Sequence, residues 1–406
     1  MPCVDNLDEE LTMPRFLFSL VVVLHGLLHC LHWNKAWRLA STQIESPGES
    51  RFSASVWLFP AVAFTVFGIA LNRSKAEWHW MLGIMGIVIS QSLILIYWHD
   101  AMYGTIVNGT ILVIGWLFYQ SEKNERSLEA QTIQFLSSQP ESNTQTIVLD
   151  NIQHLPLIVQ RWMIRSNVIG IKPIQRARLT QRGQLRTKPD GRWMPMEAQQ
   201  LVTLYHPGFL WQATIDAGAG MTITGLDKYQ SGQGSMIIRA LNAVTIAKSS
   251  GAETDQGSMM RYLAEIVWSP TAALNDQIRW EYVSENSARA VMHHSDTAVS
   301  GLFSFNTDGD VIAFEGKRYA EIDNRYSLEN WLVTVLEYKN FNGIRIPSKS
   351  EVTWRFKTGD FTWLKVEVIG IENNFDLRSD LKLNSSTHIN NVVTDHEEAQ
   401  FSSPSR

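Results

Sequence analysis

The sequence predicts an α+β membrane protein: an N-terminal bundle of four transmembrane helices, followed by a mostly antiparallel, curved β-sheet domain with one crossing helix. Three observations predict this architecture. Nearly all long apolar runs lie between residues 14 and 119. From residue 175 onward, short runs of strand-forming residues alternate with turn residues. One helical pattern interrupts these runs near residue 256, so we expect a helix that crosses the sheet.

The chain has 406 residues, a formal net charge of -5 and two cysteines, Cys3 and Cys30. This mild acidic balance gives no sign of nucleic-acid binding, and two cysteines exclude a disulfide framework. The predicted organisation is a tail over 1–13, a four-span domain over 14–119, a polar linker over 120–150, a soluble β-rich domain over 151–375 and a disordered tail over 376–406.

Four apolar segments are long enough to cross about 30 Å of hydrocarbon. They are approximately Pro14–His32, Ser55–Leu71, Trp78–Tyr97 and Tyr103–Tyr119. Because the first ten residues are acidic, we interpret the first segment as a retained span rather than a cleaved signal peptide. The protein is then integral and multi-pass. A small excess of Lys and Arg favours cytoplasmic ends, and with them a cytoplasmic soluble domain.

Three histidines, His25, His29 and His32, share one face of the first span at positions i, i+4 and i+7. Ionisable groups inside a membrane are costly and are therefore candidates for function. One hypothesis makes His25 and His29 ligands of a metal or a haem iron. The other makes them neutral, hydrogen-bonded imidazoles that pack the bundle, and we favour this structural interpretation.

The soluble half contains thirteen strand-like runs separated by turn signals. They are Gln175–Arg186, Leu201–Tyr205, Phe209–Asp216, Met221–Tyr229, Met236–Ala240, Val244–Lys248, Ile278–Val283, Ala288–His293, Ala298–Phe305, Val311–Tyr319, Leu332–Phe341, Ile344–Phe356 and Thr362–Ile371. A helix is predicted at about Gln256–Trp268, with Asp255 as its N-cap. Together, the strand-like runs and the helix predict a half-barrel-like sheet with a helix over its concave face.

The predicted helix places Arg261, Glu265 and Trp268 on one face. Arg261 and Glu265 could form a surface ion pair of little energetic consequence. If this face instead looks into the concavity, Arg261 would bind a carboxylate or phosphate head group between the apolar walls of Trp268 and Trp211. Further candidates for ligand binding are Trp193, Glu197, Asp227 and Tyr229.

Several segments resemble an uncharacterised bacterial family of membrane-attached proteins. They are DAMYGTIVN at 100–108, GRWMPMEAQ at 191–199, PGFLWQA at 207–213, RYLAEIVWSPTAA at 261–273 and NGIRIP at 342–347. The resemblance runs to about residue 372 and implies a bacterial inner or cell membrane. It covers His25 and His29, whereas the family usually has glycine at the position of His32.

More weakly, the strand–helix–strand order is similar to the half-barrel of bacterial lipoprotein carriers, in which a curved sheet wraps an acyl chain under a helical lid. This second resemblance implies a fold and does not fix a function.

The sequence has no GxSxG elbow, P-loop or HExxH motif, so no catalytic residue and no cofactor are assigned. The leading hypothesis is a membrane-anchored binding or carrier protein that holds a lipid or another amphiphile. One alternative is a membrane enzyme that uses His25 and His29 with a metal or haem. The other is a sensor or assembly subunit whose soluble domain binds a protein partner.

Overall fold

The computed structural model describes residues 2–41, 55–73, 77–137, 145–322 and 325–375. The chain forms two compact units, one of residues 1–126 with 241–244 and one of 127–240 with 245–406. The predicted disordered tail, 376–406, lies outside the described residues, as does part of the predicted linker.

The first unit is helical. Its helices are α1 (Pro2–Ser41), α2 (Leu58–Leu71), α3 (Trp78–Ile96), the short α4 (Trp98–Ala101) and α5 (Gly104–Ser137), which continues into the second unit. Phe18, Val22, Phe64, Phe67 and Ile111 form its buried core. A Cβ on Gly83 would stand 2.9 Å from the Phe67 ring, so only glycine allows this approach of α3 to α2.

The outward faces of these helices are apolar. Exposed side chains include Phe16, Leu20, Leu24 and Leu31 on α1, Phe59 and Val62 on α2, Met81, Ile84 and Val88 on α3, and Ile106 and Val113 on α5. Two stretches, Met13–Lys35 and Trp78–Ile96, are long and apolar enough to cross a membrane, and Leu58–Leu71 is a shorter apolar helix. Length and composition thus single out two of the four predicted spans.

Two predicted irregular segments are helical instead. The structure begins α1 at Pro2, within the predicted tail, and extends α5 to Ser137, within the predicted linker. The stretch at 120–132, QSEKNERSLEAQT, is polar but rich in Glu, Lys, Arg, Leu, Ala and Gln, which have favourable helix propensities. The polarity of this segment suggested a linker, but the helix propensity of its residues favours a helix.

Thirteen antiparallel strands form one sheet, in the order β6-β5-β4-β3-β2-β1-β13-β12-β11-β10-β9-β8-β7. They are β1 Arg176–Leu185, β2 Met194–Thr203, β3 Gly208–Asp216, β4 Thr222–Gln230, β5 Gln233–Ala240, β6 Val244–Ser250, β7 Ile278–Ser284, β8 Ser287–His294, β9 Thr297–Phe305, β10 Val311–Ile322, β11 Arg325–Phe341, β12 Ile344–Phe356 and β13 Gly359–Asn373. Each predicted run overlaps one strand, but β2 begins seven residues before the predicted Leu201 and β11 seven residues before the predicted Leu332. A tight turn joins β11 to β12, with Asn342 and Gly343 both at positive φ.

The crossing helix explains the curvature of the sheet. Helix α7 (Ala252–Glu265) contacts β4 and β5 near one edge of the strand order and β8, β9 and β10 near the other. One helix can reach both groups of strands only if the sheet wraps around it. The face toward α7 is therefore concave, and it holds the main core together with helix α6 (Leu157–Arg165).

The bounds of α7 differ from the prediction. The helix begins four residues earlier, after Gly251 at φ +106°, and beyond Glu265 the chain continues as short 3₁₀ turns at Ile266–Trp268 and Pro270–Leu274. Asp255 is not its N-cap. Its carboxylate accepts a hydrogen bond of 2.6 Å from the backbone N–H of Gly234, so it anchors the first turn of α7 to β5.

Candidate functional site

A cluster of charged side chains joins α7 to β4 on the concave face. The Arg261 guanidinium donates from Nη1 to Asp227 Oδ2 at 2.6 Å and from Nε to Glu265 Oε1 at 2.7 Å. The side chains of Arg261, Asp227 and Glu265 are only 13%, 11% and 17% exposed. The structure thus brings together three residues that the sequence singled out, and we call them the charge cluster.

A line of hydrogen bonds extends the charge cluster across β2, β1 and β3. Gln200 donates to Glu265 Oε2 at 2.6 Å and accepts from Gln181 at 3.2 Å. The indole Nε1 of Trp211 donates to Gln181 Oε1 at 3.0 Å. The line thus runs from Trp211 through Gln181 and Gln200 to Glu265. Trp211 also contacts the charge cluster directly, because the Arg261 guanidinium lies 4.8 Å from the centre of its ring.

Burial and neighbouring charges shift the pKa of Arg261 in opposite directions. Burial lowers the pKa of Arg261, but the carboxylates of Glu265 and Asp227 outweigh burial and hold this pKa above its ordinary value. The guanidinium is therefore a cation paired within the protein. Of the two interpretations of Arg261, the ion pair with Glu265 is present, and contact with the acidic group of a ligand stays a prediction.

A second buried cation, Arg318 on β10, was not predicted. Its Nε donates to the backbone carbonyl of Gly257 on α7 at 3.0 Å, and its guanidinium lies 5.1 Å from the ring centre of Trp331 and 6.0 Å from that of Trp354. Burial lowers the pKa of Arg318 to about 10, against the raising effect of the Asp227 and Glu265 charges. The sequence contained a signal for this position. Because side chains alternate along a strand, Arg318 shares the face of Phe314 and Gly316, which is the apolar face of β10.

A second apolar cluster lies on the same concave face, beyond the line of hydrogen bonds. We call it the apolar patch. Met196, Ala198, Ala213 and Ile215 are its buried centre, and Leu185, Met194, Trp211, Ile223 and Leu364 are its half-buried rim. The register pairs Ala198 with Ala213 and Leu185 with Leu364, so these side chains belong to one continuous face.

Other predicted ligand-binding residues lie elsewhere. Trp268 and Tyr229 are buried in the main core, where Tyr229 packs near the Tyr262 ring and burial raises its pKa. Trp193 lies beside the cations of Arg186 and Lys365, at 4.6 and 5.0 Å from its ring centre. Glu197 is exposed and alternates with Met196 and Ala198, which places it on the convex face.

In the first unit, His25 and His29 belong to a buried polar network. His25 Nε2 donates to Asn108 Oδ1 at 2.9 Å, and His29 Nδ1 donates to the His25 carbonyl at 2.9 Å. His29 Nε2 is then the acceptor of the Ser90 hydroxyl, also at 2.9 Å. His32 instead stacks on Trp57, with ring centres 4.8 Å apart.

This network supports the structural interpretation of the histidines, because both nitrogens of His29 are engaged with protein groups. Across the ranges that the structure describes, no group of three or more His, Cys, Asp or Glu side chains could hold a metal ion. His25 and His29 alone would supply two ligands, fewer than the three or four protein ligands of ordinary zinc sites.

Three solved structures are similar to part of this chain. A domain described as an outer membrane lipoprotein-sorting protein from Vibrio parahaemolyticus is 12% identical, with a TM-score of 0.31, and the match covers 56% of this chain and 95% of that one. A DUF1329 family protein from Desulfovibrio piger is 12% identical, with a TM-score of 0.32 and coverages of 56% and 95%. A LolA superfamily protein from Nitrosomonas europaea is 10% identical, with a TM-score of 0.31 and coverages of 55% and 94%. At these values the likeness carries no functional inference.

No curated protein matches the chain. The model of DUF6544, a family of unknown function, matches residues 145–366, which are more than half of the 406 residues. This match includes β1 to β12, the first half of β13, helix α7 and the charge cluster, and it confirms the resemblance to an uncharacterised family. The chain belongs to the DUF6544 family of unknown function.

Proposed function

We propose that this protein is a membrane-anchored binding or carrier protein whose curved sheet holds a lipid or another amphiphile. The observation that supports this proposal most strongly is the position of the apolar patch beside the charge cluster on one concave face. An amphiphile needs an apolar wall for its chain and polar partners for its head. Both kinds of surface meet here within a single sheet.

Trp211 joins the two surfaces. Its ring forms part of the half-buried rim of the apolar patch, whereas its Nε1–H belongs to the line of hydrogen bonds that ends at Glu265. Tryptophan suits such a position because it combines a large apolar ring with one polar donor. The rim is also incompletely buried by the protein itself, so a bound chain would remove further apolar surface from water.

We also propose that α1, α2, α3 and α5 all cross the membrane. Their apolar outward faces suit hydrocarbon, whereas their polar groups, including Asn108 and Ser90, are buried inside the bundle. Polar interactions at the two edges of the apolar segments support this topology. At one edge, Arg15 pairs with Glu122 and donates to the Leu71 carbonyl, and at the other Lys35 lies 3.3 Å from Asp100.

The experiment compares lipid retained by the full-length protein and by two matched variants. Leu364→Asn places a polar group on the rim of the apolar patch, whereas Ile369→Asn changes an exposed residue of the same strand. Each protein is purified in the same neutral detergent, and retained lipid per chain is measured by mass spectrometry. Because all three keep the helical bundle, lipid bound to those helices cancels in the comparison.

We expect Leu364→Asn to retain less lipid than the wild type and Ile369→Asn to retain as much. Equal retention by all three proteins, with Leu364→Asn still folded by circular dichroism, would contradict the proposal. Retention reduced in both variants would also contradict it, because the effect would then be independent of the concave face.

A further inference from the structure

The two buried guanidiniums of the concave face differ in their partners. Arg261 is held by two carboxylates, at 2.6 and 2.7 Å. Arg318, within the part of the chain that the structure describes, has no carboxylate at ion-pair distance, and its Nε donates to the Gly257 carbonyl. A buried cation normally requires a paired anion, so the terminal Nη groups of Arg318 are available for an acceptor.

The surroundings of Arg318 do not supply that acceptor. Its cross-strand partner, Glu329, forms no ion pair with it among the described residues. The carboxylates whose charges act on it, Asp227 and Glu265, are hydrogen-bonded to Arg261. The nearest aromatic ring, Trp331, is 4% exposed, and its Nε1–H is buried and has no acceptor among the described residues. The half-buried Arg318 guanidinium therefore lies 5.1 Å from the ring centre of an indole whose N–H has no acceptor among the described residues.

We infer that Arg318 and the indole N–H of Trp331 bind the acidic group, a carboxylate or a phosphate, of an anionic amphiphile. This inference rests on the proposed function and specifies its ligand class. A guanidinium matches both kinds of acidic group, and the neighbouring rings of Trp331 and Trp354, 5.1 and 6.0 Å away, restrict its orientation. Trp354, the second ring beside Arg318, lies two residues from Val352, which pairs with Leu364 of the apolar patch.

A different role for Arg318 is structural: its charge would only balance the net negative charge of the Arg261, Asp227 and Glu265 cluster. The two roles differ in what they predict for ligands. A head-group partner discriminates between an acidic probe and its uncharged ester, whereas a balancing charge affects both probes equally. The measurement must therefore compare two probes on the same variants.

The test uses the full-length protein in neutral detergent with two fluorescent probes, dansyl-labelled undecanoic acid and its methyl ester. Arg318→Gln removes the cation, and Trp331→Phe removes only the N–H. Lys317→Gln is the matched control, because it removes an exposed positive charge from the adjacent position of β10, on the opposite face. Competition by oleic acid and by oleoyl lysophosphatidic acid distinguishes a carboxylate from a phosphate ligand.

We expect Arg318→Gln to weaken binding of the acid about 10- to 100-fold, which is the usual worth of a buried hydrogen bond to a charged group, and to leave the ester unchanged. Trp331→Phe should act in the same direction with a smaller effect, and Lys317→Gln should bind like the wild type. The inference is overturned if the wild type binds acid and ester equally, or if Arg318→Gln weakens both equally. If neither probe binds the wild type and no lipid depends on Leu364, the proposed function itself fails.

Discussion

The helical bundle and the curved sheet bury polar groups in opposite ways. The bundle exposes apolar side chains and, beyond the Arg15–Glu122 ion pair at one edge, encloses a network of neutral groups in which His25, Asn108, Ser90 and His29 are joined by hydrogen bonds. The sheet domain encloses a large apolar core and buries full charges, with Arg261 held between Asp227 and Glu265. The apolar outer surface of the bundle is compatible with hydrocarbon, whereas the outer surface of the sheet domain carries polar side chains that are compatible with water.

This comparison shows how the two networks should respond to mutation. Removing one carboxylate of the charge cluster takes a charged hydrogen-bond partner away from the Arg261 guanidinium, which is costly. Deleting one member of the neutral network leaves a dipole without a partner, which costs less, especially where other polar groups can replace it. The predictions below follow that order.

The largest effect is expected for Asp227→Asn. Arg261 keeps Glu265, and loss of its buried charged hydrogen bond to Asp227 costs about 3 kcal/mol, which corresponds to a fall of about 6–12 °C in the unfolding midpoint of a domain of this size. Asp360→Asn is the control, because Asp360 is 65% exposed and lies 4.0 Å from Arg355. Thermal unfolding of the full-length protein in detergent measures both, and similar midpoints for the two variants would contradict a buried charge cluster.

The next effect concerns Asp310, which accepts hydrogen bonds from Arg165 on α6 and Arg345 on β12. We expect Asp310→Asn to cost about 2–3 kcal/mol near neutral pH, since hydrogen bonds between charged groups are among the stronger ones. Urea unfolding measures this cost.

The same carboxylate predicts a pH dependence. Burial alone would raise the pKa of Asp310, but the hydrogen bonds from Arg345 and Arg165 outweigh burial, and this pKa lies below its ordinary value. Its contribution is complete above the unfolded-state pKa of about 3.9 and is lost as the pH falls through the lower folded-state pKa. The stability difference between wild type and Asp310→Asn should therefore shrink in acid, and a constant difference would exclude this ionisation.

A smaller effect is expected in the bundle. Asn108→Leu removes the acceptor of His25 and the donor to Gln91, and polar contacts between membrane helices are worth about 1–2 kcal/mol. Thr110→Val is the matched control, because the exposed Thr110 hydroxyl bonds only to the Ile106 carbonyl of its own helix turn. If Asn108→Leu destabilised the protein as much as Asp227→Asn, the contrast between neutral and charged burial would be wrong.

The smallest effect on stability is expected for Trp211→Phe. The substitution keeps an aromatic ring on the rim of the apolar patch and removes the hydrogen bond to Gln181, worth about 0.5–1.5 kcal/mol. Urea unfolding should show this modest loss. A loss as large as that of Asp227→Asn would mean that the whole line of hydrogen bonds depends on Trp211.

Strand alternation and turn residues predicted the sheet well, since each strand has its own periodic pattern and hairpins such as Asn342–Gly343 have a local signal. The helical spacing of Arg261 and Glu265 likewise predicted their contact. The contact of Asp227 with Arg261 depends on how α7 crosses the sheet, which no local pattern specifies. Arg318 was missed for the same reason, because its partners Gly257 and Trp354 are distant in sequence.

The central claim is that the concave face of the sheet binds an amphiphile, and photo-cross-linking tests it most directly. The full-length protein in neutral detergent is irradiated with a diazirine-bearing fatty acid, and the labelled peptides are mapped by mass spectrometry. We predict labels on the peptides that contain Trp211, Leu364 and Trp354, with less labelling when unlabelled oleic acid is added. Labels confined to the helices of the bundle, or labels on the sheet that oleic acid does not reduce, would contradict the claim.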